Sequence, residues 1–110
     1  MSNLDIRYFP EENSKHSPIG LLVKLCSEKD IEHFVEKLEM LGELGVGNWS
    51  FKWLEHYDNL YQVTQGNFRL YFEIIEGKII VCHVCRKVSQ KAKTEDLNRA
   101  KINLQDYRGK

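Results

Sequence analysis

The chain has little proline and little glycine, 2 and 7 residues among 110. That shortage excludes collagen-like, Pro-rich and low-complexity architectures and argues against disorder. It has no net charge, with 16 Lys and Arg against 16 Asp and Glu. A bulk basic tail and an acidic solvating tail are both excluded. No apolar run approaches the ~20 residues that a membrane helix needs. Asp5 and Arg7 interrupt any apolar opening, so no secretory leader is expected. Cysteines are three and odd in number, Cys26, Cys82 and Cys85, which reads as reduced thiols in a cytoplasmic protein. What remains is 42% hydrophobic, 11% aromatic and 29% charged. That composition predicts an ordinary globular protein, and the length predicts one domain over 1–110.

Neutrality hides an asymmetry. Residues 1–85 carry 8 basic and 13 acidic side chains, and residues 86–110 carry 8 and 3. A basic C-terminal segment can form a local anion-binding face without a global field.

Local patterns place the elements. Residues 4–9 alternate up to Pro10 and predict a short strand. Ser17-Pro18 opens a helix over about 18–25 that hides Ile19, Leu22 and Leu25. Ser27 and Asp30 make a cap pair for a helix from 28 to about 41, with Ile31, Phe34, Val35, Leu38 and Leu41 at helical spacing. Gly42, Gly45 and Gly47 mark its end. Residues 60–64, 67–75 and 79–85 read as consecutive antiparallel strands. A Gln65-Gly66 loop would set Val63 opposite Phe68, Tyr61 opposite Leu70 and Gln62 opposite Arg69. At the second turn, a two-residue Glu76-Gly77 loop would put Arg69 and His83 on different faces. A three-residue loop ending at Lys78 would group Arg69, Tyr71, His83 and Cys85. It would set Phe68, Leu70 and Phe72 with Ile80, Cys82 and Val84 on the other face. The second register is preferred because it gathers the apolar side chains. Thr94 caps a last helix, with Glu95 and Asp96 in its first turn and a stripe of Leu97, Ala100, Leu104 and Tyr107. The expected fold is α+β: a small antiparallel sheet packed with N-terminal helices and a C-terminal helix on one side.

Several residues could carry chemistry. Arg86, Lys87, Lys91 and Lys93 lie between the last strand and the last helix and could hold phosphates. The bland alternative is a solvated loop. Tyr71 and Tyr107 would stack on a base if exposed, or belong to the packing. His83 near a strand end could move a proton, or sit hydrogen-bonded beside the core. Arg69, a charge inside an apolar run, either meets solvent or holds an anion. Cys82-x-x-Cys85 resembles half of a zinc site. On a regular strand those positions face opposite ways, so no metal or other cofactor is expected. Nucleophile triads, P-loops and dinucleotide fingerprints are absent from the sequence. RNA cleavage needs none of them, because the substrate's own 2′-hydroxyl can attack the adjacent phosphate. The protein must then orient it, move protons and offset phosphorane charge.

Four stretches carry a resemblance by their order and spacing. They are Asn59-Leu60-Tyr61-Gln62-Val63, Asn67-Phe68-Arg69-Leu70-Tyr71-Phe72, Gly77-Lys78-Ile79-Ile80-Val81-Cys82-His83 and Lys87-Val88-Ser89-Gln90-Lys91. With Ala100 and Asp106-Tyr107 in the closing helix, residues 50–107 resemble the RelE/HigB-like toxins of bacterial toxin–antitoxin systems. The resemblance implies a RelE-like microbial RNase fold and metal-independent mRNA cleavage in the ribosomal A site. Its implied partners are a cognate antitoxin, the ribosome with its mRNA, and operator DNA bound by the toxin–antitoxin complex. No membrane is implied. Carried across, Arg69 would steady the scissile phosphate. Lys87 and Lys91 would bind backbone phosphate or assist proton transfer. His83 would be catalytic or supporting, and Tyr107 would pack near the site; from the basic segment and the aromatics, Arg86, Lys93, Tyr71 and Tyr107 are the RNA-binding candidates. The chain departs from the family pattern at Thr64 and Val88, where positive charge is lost, at Cys85, where an aromatic is lost, and at Ala92-Lys93, which stands for Thr-Pro. Lost charge weakens transition-state stabilisation more than folding. A non-enzymatic member that binds a partner protein or RNA, and a gyrase-directed toxin, are the alternatives.

Overall fold

The computed structural model describes residues 5–10, 17–44, 51–54, 60–87 and 94–109. In chain order these form β1 (Asp5–Tyr8), α1 (Pro18–Leu25), α2 (Glu28–Leu44), β2 (Phe51–Leu54), β3 (Leu60–Gln65), β4 (Phe68–Ile75), β5 (Lys78–Arg86) and α3 (Thr94–Arg108). The α+β class holds, and β2 joins the expected elements.

The helices begin where their capping residues stand. Ser17 Oγ accepts the Gly20 N–H at 3.2 Å, with Pro18 in the first turn of α1. Ser27 Oγ accepts the Asp30 N–H at 3.2 Å at the start of α2. α2 continues through Gly42 to Leu44, past the expected end near residue 41. One interior glycine costs a helix only about 1 kcal/mol, so it is a weak stop signal.

The five strands form one sheet in the order β1-β5-β4-β3-β2. β2 through β5 are an antiparallel meander, but β1 pairs parallel to β5, with Ile6 opposite Ile79 and Tyr8 opposite Val81. The sheet is therefore mixed, not antiparallel as expected. The helical excursion of α1 and α2 carries the chain to the far edge of the sheet. Three reversals then bring β5 back alongside β1.

The helices cover both faces, which corrects the one-sided expectation. Val63, Leu70, Phe72, Ile79, Val81 and Val84 build one core with Leu22, Phe34 and Leu38 of α1 and α2. Leu60, Tyr71, Ile80, Cys82 and Cys85 build a second with Leu97, Ala100 and Leu104 of α3. Successive strand residues point to opposite faces. A strand such as β5, buried from Ile79 to Cys85, therefore needs cover on both sides.

Two tight turns and one bulge set the registers. The β3–β4 loop is Gly66-Asn67, with Gly66 at φ +59°. Val63 thus opposes Leu70, Thr64 opposes Arg69 and Gln62 opposes Tyr71. The expected pairings through a Gln65-Gly66 loop are displaced, because the glycine takes the first turn position where positive φ is required. Glu76 and Gly77, at φ 50° and 76°, form a two-residue turn that sets Ile75 opposite Lys78. The expected three-residue turn does not form. Beyond it, Phe72 opposes Val81 but Tyr71 opposes His83, leaving Cys82 as the extra residue of a β-bulge. The bulge reverses face parity along the rest of β5. Arg69, Tyr71, His83 and Cys85 share the α3 face, as the sequence favoured, through a different device. Ile80 and Cys82 lie on that face too, contrary to the expected grouping with Leu70 and Phe72.

A polar cluster beneath the first turn of α3

The candidate site is built on the α3 side of β4 and β5, next to the bulge. β4 contributes Arg69 and Tyr71, and β5 contributes His83 and Cys85 directly opposite, in the pairs Arg69–Cys85 and Tyr71–His83. The Tyr71 and His83 rings are nearly parallel, 12° apart in plane, with centroids 6.3 Å apart. From α3, Asp96 reaches down, and its Oδ1 lies 3.0 Å from His83 Nε2. An acidic residue in the first helical turn suits the helix dipole. Here it also fixes the imidazole.

Burial sets the electrostatics. Arg69 is 3% exposed, Tyr71 0%, and His83 and Cys85 8% each. Burial pushes the Cys85 thiol up to about 12, and the neighbouring Asp96 charge pushes the same way. The Tyr71 hydroxyl beside it and the Arg69 charge oppose that shift. Burial likewise raises the Tyr71 hydroxyl, and so does Cys85, while Arg69 lowers it. Among the described residues, the Tyr71 hydroxyl and His83 Nδ1 are buried without a hydrogen-bond partner. Such atoms cost free energy when nothing satisfies them.

Three polar contacts clasp α3 to the sheet. Asp96 holds His83 at one end. In the middle, Asn103 Nδ2 donates to the carbonyl of the bulge residue Cys82 at 2.8 Å. Near the other end, Arg108 pairs with Glu73, whose side chain is 1% exposed.

The expected site residues divide. Arg69, Tyr71 and His83 come together. Arg86 is exposed at the end of β5, and the half-buried Lys87 follows, its N–H donating to the Asn67 carbonyl. Lys91, Lys93 and Val88 lie outside the described residues. Tyr71 has no face open to a base, so its expected stacking role does not survive. Tyr107 packs edge-on against Phe9, centroids 5.5 Å apart. It lies 11 residues along α3 from Asp96, about 16 Å away at helical rise, and does not join the cluster.

Cys82 and Cys85 were expected on opposite faces. The bulge puts both on the α3 side. Only Cys85 meets the polar cluster, because Cys82 Sγ donates to the Tyr71 carbonyl at 3.3 Å. Asp96, Cys85, Asn103 and Glu73 were missed as site residues. The one available signal was Glu73, a second charge within the apolar run of β4.

No family model matches the chain, and no curated protein matches it either.

Proposed function

We propose that the protein is a toxin of RelE/HigB type that cleaves mRNA on the ribosome, without a metal in the chemistry. The observation that carries this reading is the bulge-built face. Arg69, Tyr71 and His83 stand together there, and Arg86 and Lys87 continue from it at the strand end. The mixed sheet between two α1–α2 helices and a C-terminal helix is compatible with the RelE-like microbial RNase fold that the sequence resemblance implies.

The side chains divide the work by exposure. Arg86 and Lys87 are reachable and bind backbone phosphates. His83, held by Asp96, moves the proton of the attacking 2′-hydroxyl. Arg69 is enclosed, so its charge acts from behind the face and offsets the phosphorane. An antitoxin would neutralise the toxin by covering this end of β5.

A second reading is supported by the enclosure itself. If Arg69, Tyr71 and His83 serve only to dock α3, the protein binds a partner protein or RNA without cutting. Exposed large hydrophobics among the described residues are Val23, Met40 and Ile102, one on each helix, so among those residues no contiguous apolar patch favours a protein partner over RNA.

Primer extension on mRNA-programmed ribosomes separates the readings. Wild-type protein should cut within the A-site codon, Lys87→Ala should cut at least about tenfold more slowly, and Arg69→Ala should be more impaired still. Ribosome binding without cuts would favour the second reading. Neither binding nor cutting would turn attention to gyrase.

A further inference from the structure

We propose that His83, Cys85 and Asp96 form a zinc-binding site joining the end of β5 to the first turn of α3. Their ligand atoms all lie within 4.8 Å of one another. An imidazole, a thiolate and a carboxylate make a donor set that suits this borderline-soft ion. Zinc bonds of about 2.0–2.3 Å set tetrahedral ligand atoms roughly 3.3–3.8 Å apart. The His83–Asp96 contact at 3.0 Å lies a few tenths of an ångström short of that range and would open slightly around the ion. From separations of at most 4.8 Å, bringing the ligand atoms into that range takes shifts of about 1 Å or less, and the Asp96 side chain keeps 23% exposure.

The scaffold favours the site. His83 and Cys85 are two apart on one strand face, and Asp96 is on a helix clasped to the same sheet at Asn103 and Arg108. One thiolate and one carboxylate neutralise a dication, so the loaded site itself carries no net charge beside Arg69. A second observation points to a ligand. The Tyr71 hydroxyl is fully buried beside the cluster and has no hydrogen-bond partner among the described residues. Three protein ligands leave a fourth position for water, and a water there would give that hydroxyl a partner. The bulge at Cys82 is what permits the arrangement, since without it His83 and Cys85 would face α1 and α2.

The inference does not depend on the RNA reading. If both hold, zinc withdraws His83 and Asp96 from proton transfer, and the loaded protein does not cut.

Cobalt(II), a spectroscopic substitute for zinc, provides the test. The full chain, reduced and stripped with a chelator, is titrated with cobalt and then with zinc. The expected result is saturation at one cobalt per chain, with a thiolate-to-cobalt charge-transfer band that zinc abolishes. Cys85→Ser should lose the band while Cys26→Ser keeps it. Asp96→Asn should bind at least about tenfold more weakly. Circular dichroism checks each fold. Should Cys85→Ser not fold, His83→Gln and Asp96→Asn decide, and unchanged affinity in both overturns the proposal. So does the absence of a thiolate band at millimolar cobalt, or a band that survives Cys85→Ser.

Discussion

Asn103→Ala should destabilise the protein more than a buried polar-to-alanine change elsewhere, because it exposes the weakness of the bulge. Asn103 is 1% exposed, and its Nδ2 donates to the Cys82 carbonyl at 2.8 Å. Cys82 is the extra residue of the bulge and has no register partner on β4. The substitution removes a hydrogen bond with a net worth of about 1 kcal/mol. It also leaves a carbonyl buried without that donor, at about 1–3 kcal/mol. The expected loss is therefore about 2–4 kcal/mol, a large share of a typical domain stability of about 5–15 kcal/mol. With a urea m-value of about 1–3 kcal/mol/M, the midpoint should fall by roughly 0.7–4 M at unchanged slope. Asn103→Asp should do worse at neutral pH, since a carboxylate cannot donate and repels the carbonyl. Equilibrium urea unfolding followed by circular dichroism measures both variants. A loss below about 0.5 kcal/mol for Asn103→Ala would refute the claim that this amide sustains the bulge.

Other perturbations have equally definite outcomes. Arg108→Ala strips the cation from buried Glu73. Breaking a buried pair costs about 3–5 kcal/mol, and the half exposure of Arg108 reduces this to about 1–3 kcal/mol, readable as a lowered melting temperature. Glu76→Asn should stabilise by about 0.5–1 kcal/mol in the same assay, because Glu76 sits at φ 50° and asparagine tolerates that region better. Burial, and behind it the Asp30 charge, push the Cys26 thiol up from 9.0. A raised folded-state value makes the contribution to stability complete below the unfolded value and lost as pH rises past it. Stability of wild type should therefore decline above about pH 8.5, less so in Cys26→Ala, and Cys26 should react slowly with a disulfide reagent until the chain unfolds.

Local chemistry made the helices legible. Ser17-Pro18, Ser27 with Asp30, and Thr94 with two acidic neighbours each mark a start, and α1, α2 and α3 begin there. The three long strands were legible from alternation and the glycines at 66 and 77. β2 was not, since four residues are too few to give a period to count. The parallel pairing of β1 with β5 is a contact across most of the chain, and no local pattern encodes it. The bulge was invisible for a different reason. Cys82 is small and apolar, has no glycine beside it, and reads as an ordinary strand residue. Its displacement decides which face His83 and Cys85 take. Asp96 read only as a first-turn helix charge, because its partner lies 13 residues back on a strand. Arg69 and His83 were legible as candidates, but their enclosure beneath α3 was not.

The most direct test of the RNA-cleavage reading compares two messages on programmed ribosomes. One is all ribose, and the other carries a single 2′-deoxynucleotide immediately 5′ of the expected scissile phosphate. Cuts are expected in the ribose message only, leaving a cyclic phosphate end, because the substrate's 2′-hydroxyl is the nucleophile. Equal cutting of both messages, or none of either, would contradict it.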